Sequence, residues 1–458
     1  MRCALYVLLF GLVACTQTEE GPPREEDPRP SIVVFFTDDH GYADLGIQSP
    51  DGLALTPHTD ALAREGVRMV HGYVTAPQCA PSRAGLLTGI YQGRFGFESN
   101  RDGPLAPELH TLAERLQEAG YRTGMAGKWH LGVDQNNRER LPAGVDESRY
   151  TAAAQGFDEI FEGQSRQFLA THTADGQRIS GGPRLIQDER FRIDAATEWG
   201  LHFIRRNAQR PFLLYLPYFA PHVPLEAPQA DLDLFPGVEE ENRRTALAMI
   251  HAMDRGVGRI REALAAAGLS QNTLIVYLGD NGAPITPTVA NGSLNTPLRG
   301  EKGMLTDGGI RVPYVLHWPG QIAAGQAYSG LVSSLDIATT VLAAADLPAD
   351  PQLDGLDLRA LLQGGIPPRE ALYWRWMSQA AIRSPDWKFI RLGDGRRFLF
   401  DLREDAAEGE NVLEQFPEQA AALEQQLQSW AEGLQPPGLP EAGISQMESG
   451  FYSFHGLN

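Results

Sequence analysis

Blocks of hydrophobic residues alternate with blocks of helical periodicity along the chain, and this alternation predicts strands and helices in turn. Continuous runs of β-forming residues are typical of strands buried on both faces, and they occupy residues 32–36, 211–216 and 273–278. Apolar residues at helical spacing predict one helix from Leu109 through Leu116, ended by Gly120, and a longer one from Leu247 through Leu264, ended by Gly268. The pattern predicts an α/β fold, with a large, mainly parallel sheet sandwiched by helices.

The pattern changes from about residue 370 onward. Short β-forming runs follow one another at 380–383, 387–390 and 398–400, with Asp394-Gly395 as a turn signal between two of them. Leu423, Leu427 and Trp430 then mark the apolar face of a helix. We therefore predict a main α/β domain over residues 31–369, and a small C-terminal subdomain of antiparallel sheet plus helix over residues 370–458.

The first thirty residues predict export. Arg2 precedes an apolar run over residues 4–14 that is too short for a stable membrane span and is typical of a secretory signal peptide. The run ends in LVAC, which resembles a bacterial lipobox and predicts a lipoprotein signal peptide over 1–14, with Cys15 as the lipid-modified first mature residue. An ordinary signal peptide cleaved nearby is the alternative. The proline- and acid-rich residues 15–30 predict a solvated tether, so we expect a membrane-anchored protein in the periplasm or at the cell surface.

Composition narrows the function. With 42% hydrophobic and 21% charged residues among 458, the chain is neither disordered, collagen-like nor a coiled coil. Lys and Arg number 39 against 58 Asp and Glu, and the formal charge of −19 argues against nucleic acid as a partner. An anionic substrate would need a local basic pocket. Cys79 is the single cysteine beyond the N-terminal segment, so no intrachain disulfide framework is expected.

Polar groups gather where the three predicted buried strands end. Asp38-Asp39 follows the first, His222 comes soon after the second, and Asp280-Asn281 follows the third. Ligands bind at the carboxyl ends of strands in open α/β sheets, so these groups point to one crevice. Each alone is more typical of a helix cap or a turn. Together they offer three carboxylates and an amide oxygen, which suit Ca²⁺ or Mg²⁺ better than zinc.

The most specific segment is residues 79–89, which read CAPSRAGLLTG. A lone cysteine is commonly a small buried hydrophobe, but this one stands in C-x-P-S-R followed by L-T-G, which resembles the signature of the type I sulfatases. Gln78 departs from the small or aliphatic residue usual before that cysteine. Residues 120–130, which read GYRTGMAGKWH, resemble a second signature of the family.

The resemblance continues in the expected order along almost the whole chain after the tether. The family's first metal motif is resembled by DDHGY at 38–42, its histidine motif by APHVP at 220–224, and its lysine loop by LRGEKG at 298–303 with GGIRVP at 308–313. The closing segment of its C-terminal subdomain is resembled by FDL at 400–402. The chain is thus similar to the formylglycine-dependent sulfatases of the alkaline phosphatase-like superfamily.

This resemblance implies a site and a chemistry. A maturation enzyme would oxidise Cys79 to Cα-formylglycine, whose hydrate supplies the hydroxyl that attacks sulfur. One Ca²⁺ per chain would be bound by the modified residue 79 and by four further residues, Asp38, Asp39, Asp280 and Asn281. The remaining implied catalytic residues are Arg83, which holds the attacking group, Lys128 and Lys302, which bind the sulfate oxygens, His222 as general acid, and His130, which takes the proton from the second hydroxyl.

The substrate is less constrained, because fold and motif specify the sulfate and not the alcohol. An exported enzyme of this kind is expected to remove sulfate from a sulfated oligosaccharide, in exo fashion. A generic arylsulfatase, a phosphodiesterase or phosphonate monoester hydrolase of the same superfamily, and an inactive lipoprotein that binds sulfated glycans remain alternatives. Candidates for the outer pocket are Asn100, Arg101, Asp102, Arg166 and Arg299.

Overall fold

A computed structural model describes residues 27–135, 137–436 and 445–458 of the chain. The predicted signal segment 1–14, the lipidation site Cys15 and all of the predicted tether up to residue 26 lie outside those ranges. Within the described ranges, no helix combines the length and the apolar character that crossing a membrane requires.

Strands and helices alternate through most of the chain. The strands, numbered in chain order, are β1 (Ser31–Thr37), β2 (Val67–Tyr73), β3 (Arg122–Gly127), β4 (Glu159–Gln164), β5 (Gln167–Ala170), β6 (Arg184–Gln187), β7 (Phe212–Leu216), β8 (Thr273–Gly279), β9 (Tyr314–His317), β10 (Gln326–Ser333), β11 (Leu372–Trp376), β12 (Gln379–Arg383), β13 (Trp387–Arg391) and β14 (Arg397–Asp401). The α-helices are α1 (Pro57–Glu65), α2 (Cys79–Thr88), α3 (Leu112–Glu118), α4 (Arg192–Asn207), α5 (Gln229–Leu232), α6 (Glu241–Ala266), α7 (Asp307–Ile310), α8 (Asp336–Ala344), α9 (Leu358–Leu362), α10 (Pro417–Ala431) and α11 (Gln446–Phe454).

The large sheet has ten strands in the order β10-β2-β9-β8-β1-β7-β3-β4-β5-β6. Its centre is parallel, with β1 between β8 and β7, and β3 between β7 and β4. Strand β9 enters antiparallel between β2 and β8, and β5 and β6 extend one edge as an antiparallel meander. The sheet is therefore mixed but mainly parallel at its core, which confirms the predicted fold class.

Helices cover both faces of this sheet, and β1 shows why its sequence is apolar throughout. Val33 and Phe35 pack on the face covered by α1, α4 and α6. Ile32, Val34 and Phe36 pack on the opposite face, under α2, α3, α8 and α9. All seven residues of β1 are buried, so a continuous hydrophobic run is what a central strand of a two-sided sheet requires.

One predicted helix begins later than expected. The apolar spacing included Leu109, whereas α3 begins at Leu112 and leaves Leu109 outside the helix. The reason is a capping box, in which the Thr111 hydroxyl accepts from the Glu114 amide and the Glu114 carboxylate accepts from the Thr111 amide. Gly120 lies just beyond the end of α3 with φ of 85°, as a helix-stop glycine should.

The C-terminal sheet is antiparallel, in the order β11-β12-β13-β14. Helix α10 covers one face, where Leu423 and Leu427 share an apolar cluster with Ile382 and Phe389. The other face of the sheet packs, together with α11, against residues 304–312 of the main domain. The sheet-plus-helix subdomain was predicted, but β11 was not, and it supplies Trp374 and Trp376 to that interface.

Buried polar bonds tie this subdomain to the segment around Lys302. The Lys388 ammonium is fully buried between the carboxylates of Asp307 and Glu408, at 2.7 Å from each. The Gln379 side-chain amide donates to the Gly303 carbonyl at 3.1 Å. Because an unpaired charge is costly in such surroundings, Lys388 fixes the subdomain and the lysine loop in one relative position.

We expect Lys388→Met to lower the free energy of unfolding by about 3–5 kcal/mol, because it removes the counter-charge of the buried Glu408 and leaves Asp307 with the longer contact to Arg311, at 3.4 Å. Urea-induced unfolding of the purified variant measures the change. The matched control is Arg397→Met, which removes a cation from a half-exposed pair with Glu424 and should cost less than about 1 kcal/mol. Equal losses in the two variants would contradict the structural role of Lys388.

Candidate active site

The carboxyl ends of three adjacent strands form the floor of the site. The Asp38 amide donates to the Ala220 carbonyl at 3.1 Å, which joins the chain after β1 to the chain after β7. The Asp280 amide donates to the Thr37 carbonyl at 2.8 Å, which joins the chain after β8 to the end of β1. Residues some 240 positions apart in sequence therefore meet at one edge of the sheet, as the strand-end rule predicts.

Cys79 is the first residue of α2 and reaches this floor from above. Its Sγ lies 3.3 Å from Asp38 Oδ1 and 3.2 Å from Lys302 Nζ. Burial, with the negative charge of Asp280 second, raises the pKa of the Cys79 thiol well above its usual range. Without a divalent cation beside it, the unmodified side chain is therefore a neutral thiol.

Three carboxylates and three cations surround this residue in pairs. They are Asp38 with Lys128 at 2.7 Å, Asp39 with Lys302 at 2.6 Å, and Asp280 with Arg83 at 2.7 Å. Burial opposes the ionisation of Asp38, but Lys128, His222 and Arg83 outweigh it and hold the pKa of that carboxyl well below its usual range. Asp280 differs, because burial and the nearby Asp38 raise its pKa to about 7.

The acidic residues fit a divalent cation. A carboxylate oxygen from each of Asp38, Asp39 and Asp280, and the Cys79 sulfur, lie within 4.8 Å of one another. Asn281 donates its amide hydrogens to Asp39 Oδ1 at 2.7 Å and to the Gly282 carbonyl at 2.9 Å. Its Oδ1 is buried without a hydrogen-bond partner. An orphaned amide oxygen beside three carboxylates is a donor set for a hard cation such as Ca²⁺.

The backbone is strained at two of these positions. Asp39 and His130 each have φ of 58°, in the left-handed region that residues with a Cβ seldom occupy. Such conformations persist where the surrounding structure demands them and are common at functional sites.

After Asn281, a Cβ on Gly282 would lie 1.8 Å from the Gly308 carbonyl oxygen. Only a glycine at position 282 lets the chain after Asn281 approach the segment at Gly308 so closely.

Two histidines flank the site and differ in their hydrogen bonds. Nδ1 of His222 lies 2.7 Å from the Val223 carbonyl, which can only accept, so Nδ1 carries a proton. Its Nε2 is 3.7 Å from Asp39 Oδ2. His130 has a buried Nδ1 without a partner. Burial, then the charges of Lys128 and Arg83, lower its pKa well below the usual value, which keeps the ring neutral.

A cavity of about 670 Å³ opens beside these groups. Lys128, His130 and His222 line it, together with Phe219 and Glu162. The Phe219 ring lies 4.9 Å from Lys128 Nζ. The sequence analysis named neither residue. One signal was available, because Phe219 directly precedes the APHVP motif; the position of Glu162 depends on β4 lying beside β3.

Gln78, the departure from the family pattern, has a structural role. Its Oε1 accepts from the Asn100 amide at 3.1 Å, and the Asn100 side-chain oxygen accepts from the Ala80 amide at 3.0 Å. Asn100 is thereby held against the start of α2 and lines the cavity. Of the other outer-pocket candidates, Arg101, Asp102, Arg166 and Arg299 do not line it, and Arg166 lies 3.8 Å from Glu189 on the β4–β5 side of the sheet.

Sequence models of two families match the chain. The model described as "Sulfatase" matches residues 30–347, and the one described as "N-sulphoglucosamine sulphohydrolase, C-terminal" matches residues 300–435. Human arylsulfatase A is 35% identical over 75% of this chain and 70% of its own length. Dog N-acetylgalactosamine-6-sulfatase is 32% identical over 83% of this chain and 74% of its own.

Solved structures agree in fold. The crystal structure of Ps i-CgsB in complex with k-i-k-neocarrahexaose superposes with a TM-score of 0.78 at 28% identity, covering 94% of this chain and 98% of that one. The phosphonate monoester hydrolase of Agrobacterium radiobacter shares the fold, with a TM-score of 0.67 at 20% identity, covering 91% and 100%. Fold alone therefore does not separate sulfate from phosphonate chemistry.

The site and the family match together define a hydrolase of the alkaline phosphatase-like superfamily. The chain belongs to the sulfatase family, and it is a sulfuric ester hydrolase.

Proposed function

We propose that this sulfatase hydrolyses a sulfate monoester of a carbohydrate through Cα-formylglycine at position 79, with Ca²⁺ bound by Asp38, Asp39, Asp280 and Asn281. The observation that carries the proposal is the setting of residue 79. Its side chain lies within 3.3 Å of both a carboxylate and an ammonium, yet the thiol is held neutral. Residue 79 also opens the sequence CAPSR inside the region that the sulfatase family model matches, and oxidation of this cysteine by a maturation enzyme would supply the nucleophile.

The proposed groups would contribute charge and a nucleophile. A hydrated formylglycine supplies a hydroxyl that attacks sulfur, and Ca²⁺ supplies positive charge toward the sulfate oxygens. Around them, Lys128 and Lys302 would orient the sulfate, since their ammonium groups already face the carboxylates on either side of residue 79. Arg83 is fully buried between Asp280 and the Lys128 carbonyl, at 2.7 and 3.0 Å, and would hold the attacking oxygen in place.

The histidines would move the protons. Because Nδ1 of His222 donates to Val223, this ring must carry a second proton, on Nε2, to act as the acid toward the leaving alcohol. Burial lowers the pKa of His222, and the nearby carboxylates of Asp38 and Asp39 act in the opposite direction and favour that proton. His130 stays neutral beside two cations, which suits the role of base that receives a proton from the second hydroxyl.

A carbohydrate is the substrate that the cavity favours. Asn100, Gln135, Glu162 and Gln164 give its wall side-chain donors and acceptors, and Phe219 gives an aromatic surface. This combination suits a hydroxyl-bearing ring with one apolar face. Relatives named for N-acetylgalactosamine 6-sulfate and a related structure holding a neocarrahexaose support the same class. A generic arylsulfatase remains the second candidate, supported by the likeness to arylsulfatase A.

We further propose the organisation predicted from the sequence. Residues 31–369 form the catalytic domain and 370–458 the C-terminal subdomain, behind a lipoprotein signal at 1–14 with lipidation at Cys15 and a tether over 15–30. Export would bring the enzyme to substrates outside the cytoplasm, with the membrane reached only through the lipid.

Maturation gives the first test. The tryptic peptide of active enzyme that contains position 79 should be lighter than the cysteine form and should react with a hydrazide. Cys79→Ala and Cys79→Ser should both reduce turnover to background, since alanine cannot form the aldehyde and an unoxidised serine lacks the second hydroxyl needed to expel the sulfate. Their melting temperatures should stay close to that of the parent, because residue 79 contacts a polar floor. Full activity with only unmodified thiol at that position would exclude the mechanism.

Metal content gives the second test. We expect one Ca²⁺ per chain by elemental analysis, with chelation lowering both activity and melting temperature; calcium at a hundredfold excess over its Kd stabilises a protein by about 2.7 kcal/mol. Asp280→Asn should abolish that stabilisation while leaving Arg83 an oxygen to bond. Asp233→Asn, an exposed acid on the surface, is the matched control and should keep it. Stoichiometric zinc, or full activity after exhaustive chelation, would contradict the assignment.

The substrate class is tested by a screen of defined sulfated mono- and oligosaccharides beside 4-nitrophenyl sulfate and the corresponding phosphate and phosphonate esters. We expect the highest kcat/KM for a sulfated sugar, because the polar wall of the cavity contributes binding that an aryl group cannot use. Activity confined to aryl sulfates would favour the arylsulfatase candidate. A higher kcat/KM for phosphonate monoesters would place the chain with the other branch of the superfamily.

A further inference from the structure

Glu162 lines the active-site cavity from strand β4. The neighbouring strand, β3, leads directly into Lys128 and His130. Strands β3 and β4 run parallel, with Gly127 opposite Glu162 in the ladder. Lys128 and His130 follow directly on β3, and all three side chains line the same cavity. Glu162 is therefore placed where ligands bind in sheets of this type, one strand away from the sulfate-binding groups.

This carboxyl has no counter-charge. The three carboxylates of the floor each pair with a lysine or an arginine, whereas Glu162 has no Lys, Arg or His of the described residues within ion-pair distance. Its one protein hydrogen bond there is a long one, 3.5 Å from the Ala152 amide to Oε2. Burial raises the pKa of this carboxyl to about 7, against the weak opposing effect of that amide. A partly buried acid without a partner requires hydrogen-bond donors from elsewhere.

Neighbouring groups indicate what those donors are. The Asn100 side-chain oxygen is already used by the Ala80 amide, which leaves its NH₂ group as a donor in the cavity that Asn100 and Glu162 both line. The Glu162 carboxylate accepts hydrogen bonds and the Asn100 NH₂ group donates them. Together these two groups match a sugar ring that presents several hydroxyls, or an amide N–H. They do not match a second sulfate or a carboxylate, which would lie beside Glu162 with no cation between.

We propose that Glu162 is the specificity-determining residue of this enzyme, accepting hydrogen bonds from neutral hydroxyl or amide groups of the sulfated sugar and disfavouring substrates with a second anionic group next to the scissile sulfate. The inference rests on the proposed carbohydrate sulfatase activity and narrows it to monosulfated units without a carboxylate on the same ring. The sulfate itself would be bound elsewhere, by Lys128 and Lys302, so Glu162 takes part in recognition and not in the chemistry.

The test uses monosulfated galactose, N-acetylgalactosamine and glucosamine, each paired with its disulfated counterpart, at pH 8, where Glu162 is mainly ionised. 4-Nitrophenyl sulfate is the reference, because it engages the sulfate site with few groups for Glu162. For the best monosulfated sugar, we expect Glu162→Gln to lower kcat/KM by roughly tenfold or more and to shrink the preference over the disulfated form by a similar factor. Turnover of 4-nitrophenyl sulfate should change by less than about twofold.

Glu262→Gln makes the same change of charge at an exposed position of α6 and is the matched control. It should leave kcat/KM unaltered for the best monosulfated sugar, its disulfated form and 4-nitrophenyl sulfate. An unchanged mono-to-disulfated ratio in Glu162→Gln, or a parent enzyme that prefers the disulfated sugars, would overturn the role of Glu162 while leaving the sulfatase assignment intact. A parent enzyme inactive on every sulfate ester would instead overturn the proposed function. A drop with 4-nitrophenyl sulfate equal to that with the sugars would show that Glu162 supports the chemistry and not recognition.

Discussion

The structure depends on burying three acidic side chains inside a protein beside matching cations. Asp38, Asp39 and Asp280 are buried at one edge of the sheet, where isolated charges would be strongly destabilised. Cations from three separate segments make the arrangement possible: Arg83 from α2, Lys128 after β3 and Lys302 from the lysine loop. Each cation must arrive from a different part of the chain, so the site forms only when the whole sheet and its flanking loops are in place.

The C-terminal subdomain extends this constraint beyond the main domain. Lys302 can pair with Asp39 only if the loop that carries it is fixed, and that loop contacts the subdomain through Gln379 and the Asp307–Lys388–Glu408 cluster. The pairing of Lys302 with Asp39 therefore depends in turn on a second set of buried charges, the Asp307–Lys388–Glu408 cluster. This dependence gives a physical reason for a small sheet to be docked beside the catalytic domain, although none of the subdomain's described residues hydrogen-bonds to Cys79.

The sequence was sufficient for the parts of this arrangement that rest on local pattern. Continuous apolar runs predicted β1, β7 and β8, and the polar residues after them predicted the crevice. It was not sufficient where position depends on the partner across the sheet: β9 enters antiparallel, and Glu162 gains its place only because β4 lies beside β3. The roles of Gln78 and Asn100 likewise depend on two loops meeting, and no spacing in the sequence encodes that contact.

The same charges resolve an apparent conflict between a chain of net charge −19 and an anionic substrate. Three acidic side chains lie beside three cations around residue 79, and the nearby His130 is held neutral by burial and by its cationic neighbours. The proposed divalent cation would add a charge of +2 to this cluster, and a sulfate monoester carries about −1. Attraction of the substrate would then be confined to the crevice of a chain whose net charge is negative. Specificity for one sulfated sugar over another must then come from groups just outside that positive centre, where an acid without a counter-charge has the largest effect.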